Sequence, residues 1–430
     1  MYWLTHNYFS RGFWGDEAWT ALISSLPVPE IIRVTGEDFH PPFYYLLVHG
    51  FMQLFGASEW IRLISVFFWM LTPLPVYFLM RKVAGKVVAI NGALLVLAAP
   101  ILFIYAFEAR AYALLAFLSA LTTLAFWKSM ATRRRVWYVA YGVAAIIGMY
   151  THYYMWFIIV AHAVAWLLLC RQRFWHYLLI FGVLLLAQAP WIPTLLSQVS
   201  TVKQGYWIGQ INSMTHWEWF MRVMGGDTDQ PQRMFVVWVL LLMIMVSPLL
   251  VWWRYRLWPR AYVYLWIWLV VPVFIPTIMS LAYKPVFFYR YLIFCSMPML
   301  LIVVWGLASV RKSVACGVTA FLLAFYLSIN GLNFARFPHS TREEMHSVLA
   351  DTRQAKMLVT LLPSFAEVMF YNRGQFPVLV LEEGIVQSSG KALLDAYVRM
   401  NLVVVGKVPK DQFYWFIKPG PVSEYHESTD

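Results

Sequence analysis

The sequence predicts a polytopic α-helical membrane protein with a small extracytoplasmic α/β domain at its C-terminal end. Three observations predict it. Of 430 residues, 61% are hydrophobic and 13% are charged, about half the charge of an ordinary soluble domain. Apolar runs of about 18 residues or more recur between Trp60 and Asn330, each long enough to cross a hydrocarbon core of about 30 Å. Beyond Asn333 the composition changes, and eleven of the 21 acids fall in the last 98 residues.

The net charge of +12 does not point to nucleic acid, because of how it is distributed. Five short loops hold Arg81-Lys82-Lys86, Lys128-Arg133-Arg134-Arg135, Arg171-Arg173, Arg254-Arg256-Arg260 and Arg311-Lys312, which is 14 of the 33 basic residues with no acid among them. The loops between them, near 107–110, 150–154, 195–233 and 283–290, hold six basic residues and four acids. That alternation is the positive-inside pattern, so the basic loops are expected in the cytoplasm. Cys170, Cys295 and Cys316 fall in or beside apolar runs and imply no disulfide framework.

Taken in order, residues 1–59 form a first segment. Within it "HPPFYYLLVHGFMQLFG" (40–56) is apolar all round, but only about 15 residues follow the prolines. At 1.5 Å per residue it reaches about 22 Å. It suits an interfacial helix, with a short span as the alternative that would put Asp16 in the cytoplasm. Ten spans follow in residues 60–332, at about 60–80, 87–106, 111–130, 136–151, 154–169, 175–194, 234–253, 261–282, 291–310 and 314–332. The long loop 195–233 contains "MTHWEWFMRVMGG", which reads as an amphipathic interfacial helix. Residues 333–430 alternate: "TREEMHSVLADTR" as helix, "KMLVTLLP" as strand, "SFAEVMFYNRG" as helix, "FPVLVLEE" as strand, "GKALLDAYVRM" as helix and "NLVVVGKV" as strand.

Few residues can carry chemistry. Between Trp60 and Leu332 the acids are Glu108, Glu218, Asp227 and Asp229, all in outer loops. An ionisable group near the bilayer is costly and marks a functional site by default. Glu108, in "IYAFEARAYALL", sits at the tip of a tight turn with Arg110 two residues on; a simple turn ion pair is the plainer reading. Asp16 and Glu17 lie between Trp14 and Trp19 at a helix start. There they complement the helix dipole, or act as general bases raised toward neutral pH by a dry setting. His40 precedes two prolines that hold it above the membrane. His152 and Tyr153, in "YTHYYMW", are candidates for substrate contact, although an aromatic belt accounts for the tyrosines alone. Lys284 and Arg290, in "AYKPVFFYRYLIF", place two cations where outer cations are scarce. They suit a phosphate, or serve as snorkelling anchors.

"DEAW", "HPPFYYLL", "FEARAYALL", "THYY" and "YRYLIF", in this order over about residues 14–310, resemble bacterial members of the protein O-mannosyltransferase-like group. These are GT-C fold glycosyltransferases of family 39 type. The resemblance implies transfer of a sugar from a polyprenyl-phosphate carrier to an acceptor at the outer face of the bacterial inner membrane. It implies that Asp16-Glu17 and Glu108 are the acids of the first and second outer loops, that 40–56 is interfacial, and that Arg290 holds the carrier phosphate with His40 near it. Chemical logic then makes Asp16 the base and Arg290, His40 and Lys284 or Arg110 the phosphate clamp. Glu17 and Glu108 would orient the acceptor, and Asp16 with Glu108 could share Mg²⁺ or Mn²⁺. The acceptor stays open among protein, lipid and envelope glycan. The resemblance also implies a transmembrane helix ahead of the acidic pair. Residues 1–15 contain none, which leaves a start upstream of Met1 or a missing first span. The rival readings are a lipid-linked saccharide transporter, which needs charges lining a path at the midplane, and a polyprenyl-lipid binder without turnover.

Overall fold

A computed structural model of the chain describes residue 9 and residues 11–132, 134–169, 174–204, 208–226, 231–334, 341–351, 357–381, 391–408, 413–419 and 422–427. Cys170, Arg133, Arg171, Arg173, Asp227 and Asp229, singled out in the sequence, lie outside the described residues.

All ten predicted spans are helical, but they are not alike. Among the described residues seven helices are long and apolar enough to cross a membrane. An eighth candidate, Lys86–Ala98 followed by Pro100–Ala106, bends by 52°. The cause is local: Pro100 has no N–H to continue the ladder and forces Ala99 into an extended conformation, φ −53° and ψ 123°. Carbonyls freed near the break find side chains elsewhere. Asn330 Nδ2 donates to Ala98 O at 3.0 Å, and Trp69 Nε1 donates to Leu97 O at 3.1 Å. The bend aims the short second helix at the turn that carries Glu108 and Arg110. Two further helices, Arg135–Thr151 and Met155–Leu169, have only 17 and 15 residues. Phe43–Phe55 has 13 residues, about 20 Å, and is too short to span unaided.

The bundle packs through close helix pairs, Tyr112–Thr132 on Arg135–Thr151 and Pro231–Tyr255 on Ser296–Val310 among them. The second pair requires Gly306. A Cβ there would meet Ser247 Oγ at 2.2 Å, and Ser247 donates to Ile302 O at 2.6 Å across the same contact. The loop helix expected within 195–233 is Thr215–Gly225.

The C-terminal domain is a five-stranded sheet of order β3-β2-β1-β4-β5. β1 (Met357–Thr360), β2 (Val378–Leu381), β3 (Val404–Gly406) and β4 (Phe413–Lys418) are parallel, and β5 (Val422–Glu427) runs antiparallel to β4. The strands and helices read from the sequence occur in the expected alternation. β4 and β5 add a final pair beyond it. The first segment and this domain share one apolar core, in which Phe13, Leu22 and Tyr45 join Phe365, Phe370 and Tyr397. Helix Gly15–Ser25 therefore lies between the membrane bundle and the C-terminal domain.

Candidate active site

Helix Gly15–Ser25 presents its two acids to different neighbours. Adjacent residues on a helix project about 100° apart, so one environment cannot serve both. Glu17 is fully buried. Arg62 forks onto it, Nε to Oε1 at 2.7 Å and Nη2 to Oε2 at 2.7 Å. The Ala109 N–H donates to Oε1 at 2.9 Å, and Arg11 lies 3.6 Å from Oε2. Burial alone pushes this carboxyl up, but Arg62, Arg11 and the Ala109 N–H outweigh it and hold Glu17 below the ordinary value. Arg62 also donates to Arg11 O at 2.8 Å and Gly12 O at 3.0 Å. Glu17 is thus saturated by structural partners rather than facing a reaction space. Sequence reasoning missed Arg62, although a lone arginine inside the first apolar run is itself a signal.

Asp16 is 29% exposed at its side chain. Its Oδ2 lies 3.1 Å from Arg290 Nη1 and 3.7 Å from Arg110 Nη2. Arg110 Nη2 is 3.3 Å from His40 Nε2, and His40 Nδ1 is 3.7 Å from Asp38 Oδ2. Four of the residues picked from the sequence, Asp16, His40, Arg110 and Arg290, therefore meet in one cluster. Aromatic rings wall it: the Arg290 guanidinium carbon lies 4.9 Å from the Phe288 ring centre, 5.8 Å from Tyr112 and 5.9 Å from Trp14. Arg290 is delivered by the 3₁₀ turn Tyr289–Cys295. The connection before it is folded by Ser280, whose Oγ accepts the N–H groups of Val286 and Phe287, each at 2.9 Å.

Glu108 sits in the turn after the bent span and is 9% exposed. Burial pushes its carboxyl up to about 7. Arg11 and Arg290 oppose the rise, and Glu17 and Asp16 add to it. Among the described residues its Oε2 has no hydrogen-bond partner, and neither do His40 Nδ1 and Trp14 Nε1. Buried polar atoms in folded proteins are normally satisfied, so this concentration marks a place where a ligand completes the set.

His152 ends helix Arg135–Thr151, and its Nδ1 accepts the Tyr154 N–H at 3.2 Å. Burial pulls its pKa well down, and His40, Arg110 and Arg290 press the same way, so it is neutral with the proton on Nε2. His40 and His152, with ring centres 6.5 Å apart, close one end of an apolar cavity of about 190 Å³. Phe157, Leu195, Met279 and Tyr291 line the rest. Tyr153 also lines it, but its hydroxyl is committed: it donates to Gln198 Oε1 and accepts from Trp191 Nε1. Gln198 in turn donates to Thr35 O and Gly36 O, which ties helix Ile192–Gln204 to the first segment. The structure does not bring Lys284 into the cluster. Among the described residues its side chain makes no ion pair with Asp16 or Glu108.

Among the described residues no three His, Cys, Asp or Glu side chains could hold a metal. Asp16, expected to share Mg²⁺ or Mn²⁺ with Glu108, instead faces two guanidiniums. Those cations repel the dication that its carboxylate would attract.

The C-terminal domain holds this site from behind. The Phe13 N–H donates to Tyr371 Oη at 2.6 Å, and Tyr371 Oη donates to Glu59 Oε1 at 3.1 Å. Burial pushes the Glu367 carboxyl up, and Thr341, which donates to it, and the Gly15 N–H at the start of the Asp16 helix oppose the rise. Phe13 packs on Phe370 and Trp19 on Phe365.

Residues 39–196 match the sequence profile of a family described as dolichyl-phosphate-mannose-protein mannosyltransferase. No curated protein matches the chain in sequence. The fold is similar to that of ArnT from Cupriavidus metallidurans in the apo state, with 16% identity and a TM-score of 0.64 over 96% of this chain and 90% of that one. It is similar to the same protein bound to undecaprenyl phosphate, with 15% identity and a TM-score of 0.61 over 96% and 91%. The archaeal oligosaccharyltransferase AglB from Archaeoglobus fulgidus, in complex with an inhibitory peptide and a dolichol-phosphate, matches at 10% identity and a TM-score of 0.51 over 97% and 71%. This chain is a multi-pass membrane protein with the GT-C glycosyltransferase fold, as the sequence resemblance implied.

Proposed function

We propose that the protein transfers a sugar from a polyprenyl-phosphate carrier to an acceptor, which is a protein, a lipid or an envelope glycan. One observation carries the reading: two guanidiniums, Arg290 and Arg110, converge on the Asp16 carboxylate, and His40, which touches Arg110, also lines an apolar cavity. Arg290 and Arg110 suit the phosphate, and His40 reaches it when Arg110 does. The cavity beyond His40 suits the first isoprene units, so the carrier's tail stays in the bilayer while its head meets Asp16. Similarity to a protein solved with undecaprenyl phosphate supports the same ligand class.

The acceptor hydroxyl attacks the anomeric carbon as the bond from that carbon to the phosphate oxygen breaks. Polyprenyl phosphate leaves with the bonding pair, and the two arginines stabilise its charge. A base takes the hydroxyl proton. The sequence pointed to Asp16 for that role, but the electrostatics favour Glu108. A base works best with a pKa near the working pH, and Glu108 lies at about 7 with an oxygen unengaged. Asp16, beside Arg290 and Arg110, holds the clamp in place and yields it to phosphate. Glu17 positions the helix that carries Asp16.

The cluster lies at the ends of the spans opposite the basic loops. The positive-inside rule then puts it on the extracytoplasmic side of a bacterial plasma membrane. The test is release of polyprenyl phosphate from a panel of polyprenyl-phospho-sugars, with purified protein and mixed membrane acceptors. Release by wild type, its loss in Glu108→Gln and weaker use of the carrier in Arg290→Ala are expected. Release by neither wild type nor variants, with carrier still bound, transfers the weight to a binding protein or transporter.

A further inference from the structure

A second cavity, of about 510 Å³, lies at the other end of the bundle. Its position follows from chain direction. Tyr112 opens helix Tyr112–Thr132 beside Arg110, whereas Trp127 and Met130, near the end of that helix, line this cavity. The helix has 21 residues, about 31 Å, which is the thickness of a hydrocarbon core. Leu169 closes a helix that opens beside His152, and Arg260 and Ala261 open one that ends near Lys284. Two helices, Met155–Leu169 and Arg260–Ala282, thus line both cavities, and Tyr112–Thr132 runs the same distance from Arg110, so the second cavity lies at the opposite membrane boundary.

Its walls are apolar, and its rim carries Lys82 and Arg260. These two cations come from helices remote in sequence, Pro73–Val83 and Arg260–Ala282. Neither makes an ion pair with any described residue. The sequence puts no acid in the adjoining loops, since the acids of residues 60–332 are Glu108, Glu218, Asp227 and Asp229. A pair of uncompensated cations above an apolar pocket, at the depth of lipid headgroups, is complementary to one chemistry.

We propose that this cavity binds an anionic glycerophospholipid, with its phosphate between Lys82 and Arg260 and an acyl chain against Trp127, Met130 and Leu169. Basic pockets between transmembrane helices at a membrane boundary take acidic headgroups, and the long cationic stems cover apolar chain surface. A zwitterionic lipid brings its own ammonium to the rim and is repelled. Free phosphate leaves the apolar wall unused. The inference is independent of the reaction at the other end of the bundle.

The test is native mass spectrometry of the detergent-solubilised full chain, titrated with phosphatidylglycerol, phosphatidylcholine or inorganic phosphate. Wild type retains phosphatidylglycerol over phosphatidylcholine, and Lys82→Ala/Arg260→Ala weakens retention about tenfold. Both side chains are exposed, so the double variant folds, which its melting temperature in detergent checks. Lys82→Arg/Arg260→Lys retains the lipid. The control Arg134→Ala/Arg135→Ala removes two exposed cations at the same end and leaves retention unchanged. Equal loss in the control means diffuse surface charge and overturns the proposal. So does displacement of the lipid by millimolar inorganic phosphate, or retention unaffected by the double variant.

Discussion

Two neighbouring regions built from the same side-chain types behave in opposite ways. In the anchor, Glu17, Arg62 and the backbone of 11–12 and 109 satisfy one another completely. In the cleft beside it, Asp16, Glu108, His40, Arg110 and Arg290 approach without closing, and Glu108 Oε2 and His40 Nδ1 are left over. Adjacent residues on one helix turn supply both. A buried charge in a low-dielectric setting is tolerable only with partners. Where they are all present the group is framework, and where one is missing the site awaits a ligand.

The sharpest way to break the comparison is at the anchor. Arg62→Ala leaves Glu17 buried without its main partner, and breaking such a pair costs about 3–5 kcal/mol. The expected result is loss of folded protein or a large drop in melting temperature in detergent, with activity lost alongside. An Arg62→Ala protein that melts like wild type and fails only in turnover would put Glu17 and Arg62 in the cleft.

Glu108→Gln comes next. It is expected to fold and to lose about 10²–10⁴ in rate, the usual contribution of a general base. Wild-type turnover climbs with pH through about 7 as Glu108 gives up its proton, and the variant lacks that limb. Stability carries the opposite sign. Folded Glu108 keeps its proton to about 7 against an ordinary 4.5, so between those values the wild type loses stability as pH rises. The variant is free of that loss. A pH limb that survives Glu108→Gln and vanishes in Asp16→Asn would return the base to Asp16.

Arg290→Ala has a smaller effect, on binding. Hydrogen bonds to charged groups contribute about 1.5–3 kcal/mol, so affinity for polyprenyl phosphate falls roughly 10- to 100-fold. Lys284→Ala leaves it unchanged. Equal losses in the two variants would mean that the phosphate sits nearer the connection 283–288 than to Asp16.

The cleft was largely legible in the sequence, because charge is scarce in an apolar chain. Glu108 and Arg290 stand out by position alone, and the two prolines after His40 announce a fixed backbone. The anchor was not legible. Nothing distinguishes Glu17 from Asp16 until the partner of each is known, and Arg62 lies 45 residues from Glu17. Of the two outer cations Lys284 and Arg290, the sequence favours Arg290 because it begins a span, and Arg290 rides on the 3₁₀ turn that reaches Asp16. The ten helical segments were readable from hydropathy, but which of them are long enough to span was not: among the described residues seven are, with the bent pair as an eighth candidate. The bend at Pro100 had its signal in the residue itself, but the donor that satisfies the Ala98 carbonyl beside it, Asn330, lies some 230 residues away. The run "FYWFIKPGPVSEYHE", with aromatic residues before Pro-Gly-Pro, is the overlooked mark of β4 and β5.

The smallest effect tests where the two regions divide. Tyr371, in the C-terminal domain, accepts from the Phe13 N–H and donates to Glu59, three residues before Arg62. Arg342 also reaches Glu59, at 3.4 Å, so Glu59 keeps a partner when the hydroxyl is removed and the Phe13 N–H does not. Tyr371→Phe therefore leaves one buried backbone donor unsatisfied, a cost of about 1–2 kcal/mol, and loosens the start of the Asp16 helix without touching the cleft. A modest fall in melting temperature and in turnover is expected, with carrier affinity intact. The rings of Phe370 and Phe365 keep the domain docked in the variant, so the hydroxyl's effect is isolated from the domain's. Carrier affinity that fell as far as in Arg290→Ala would mean that the C-terminal domain shapes the phosphate site itself, and the boundary between framework and cleft would move outward to include it.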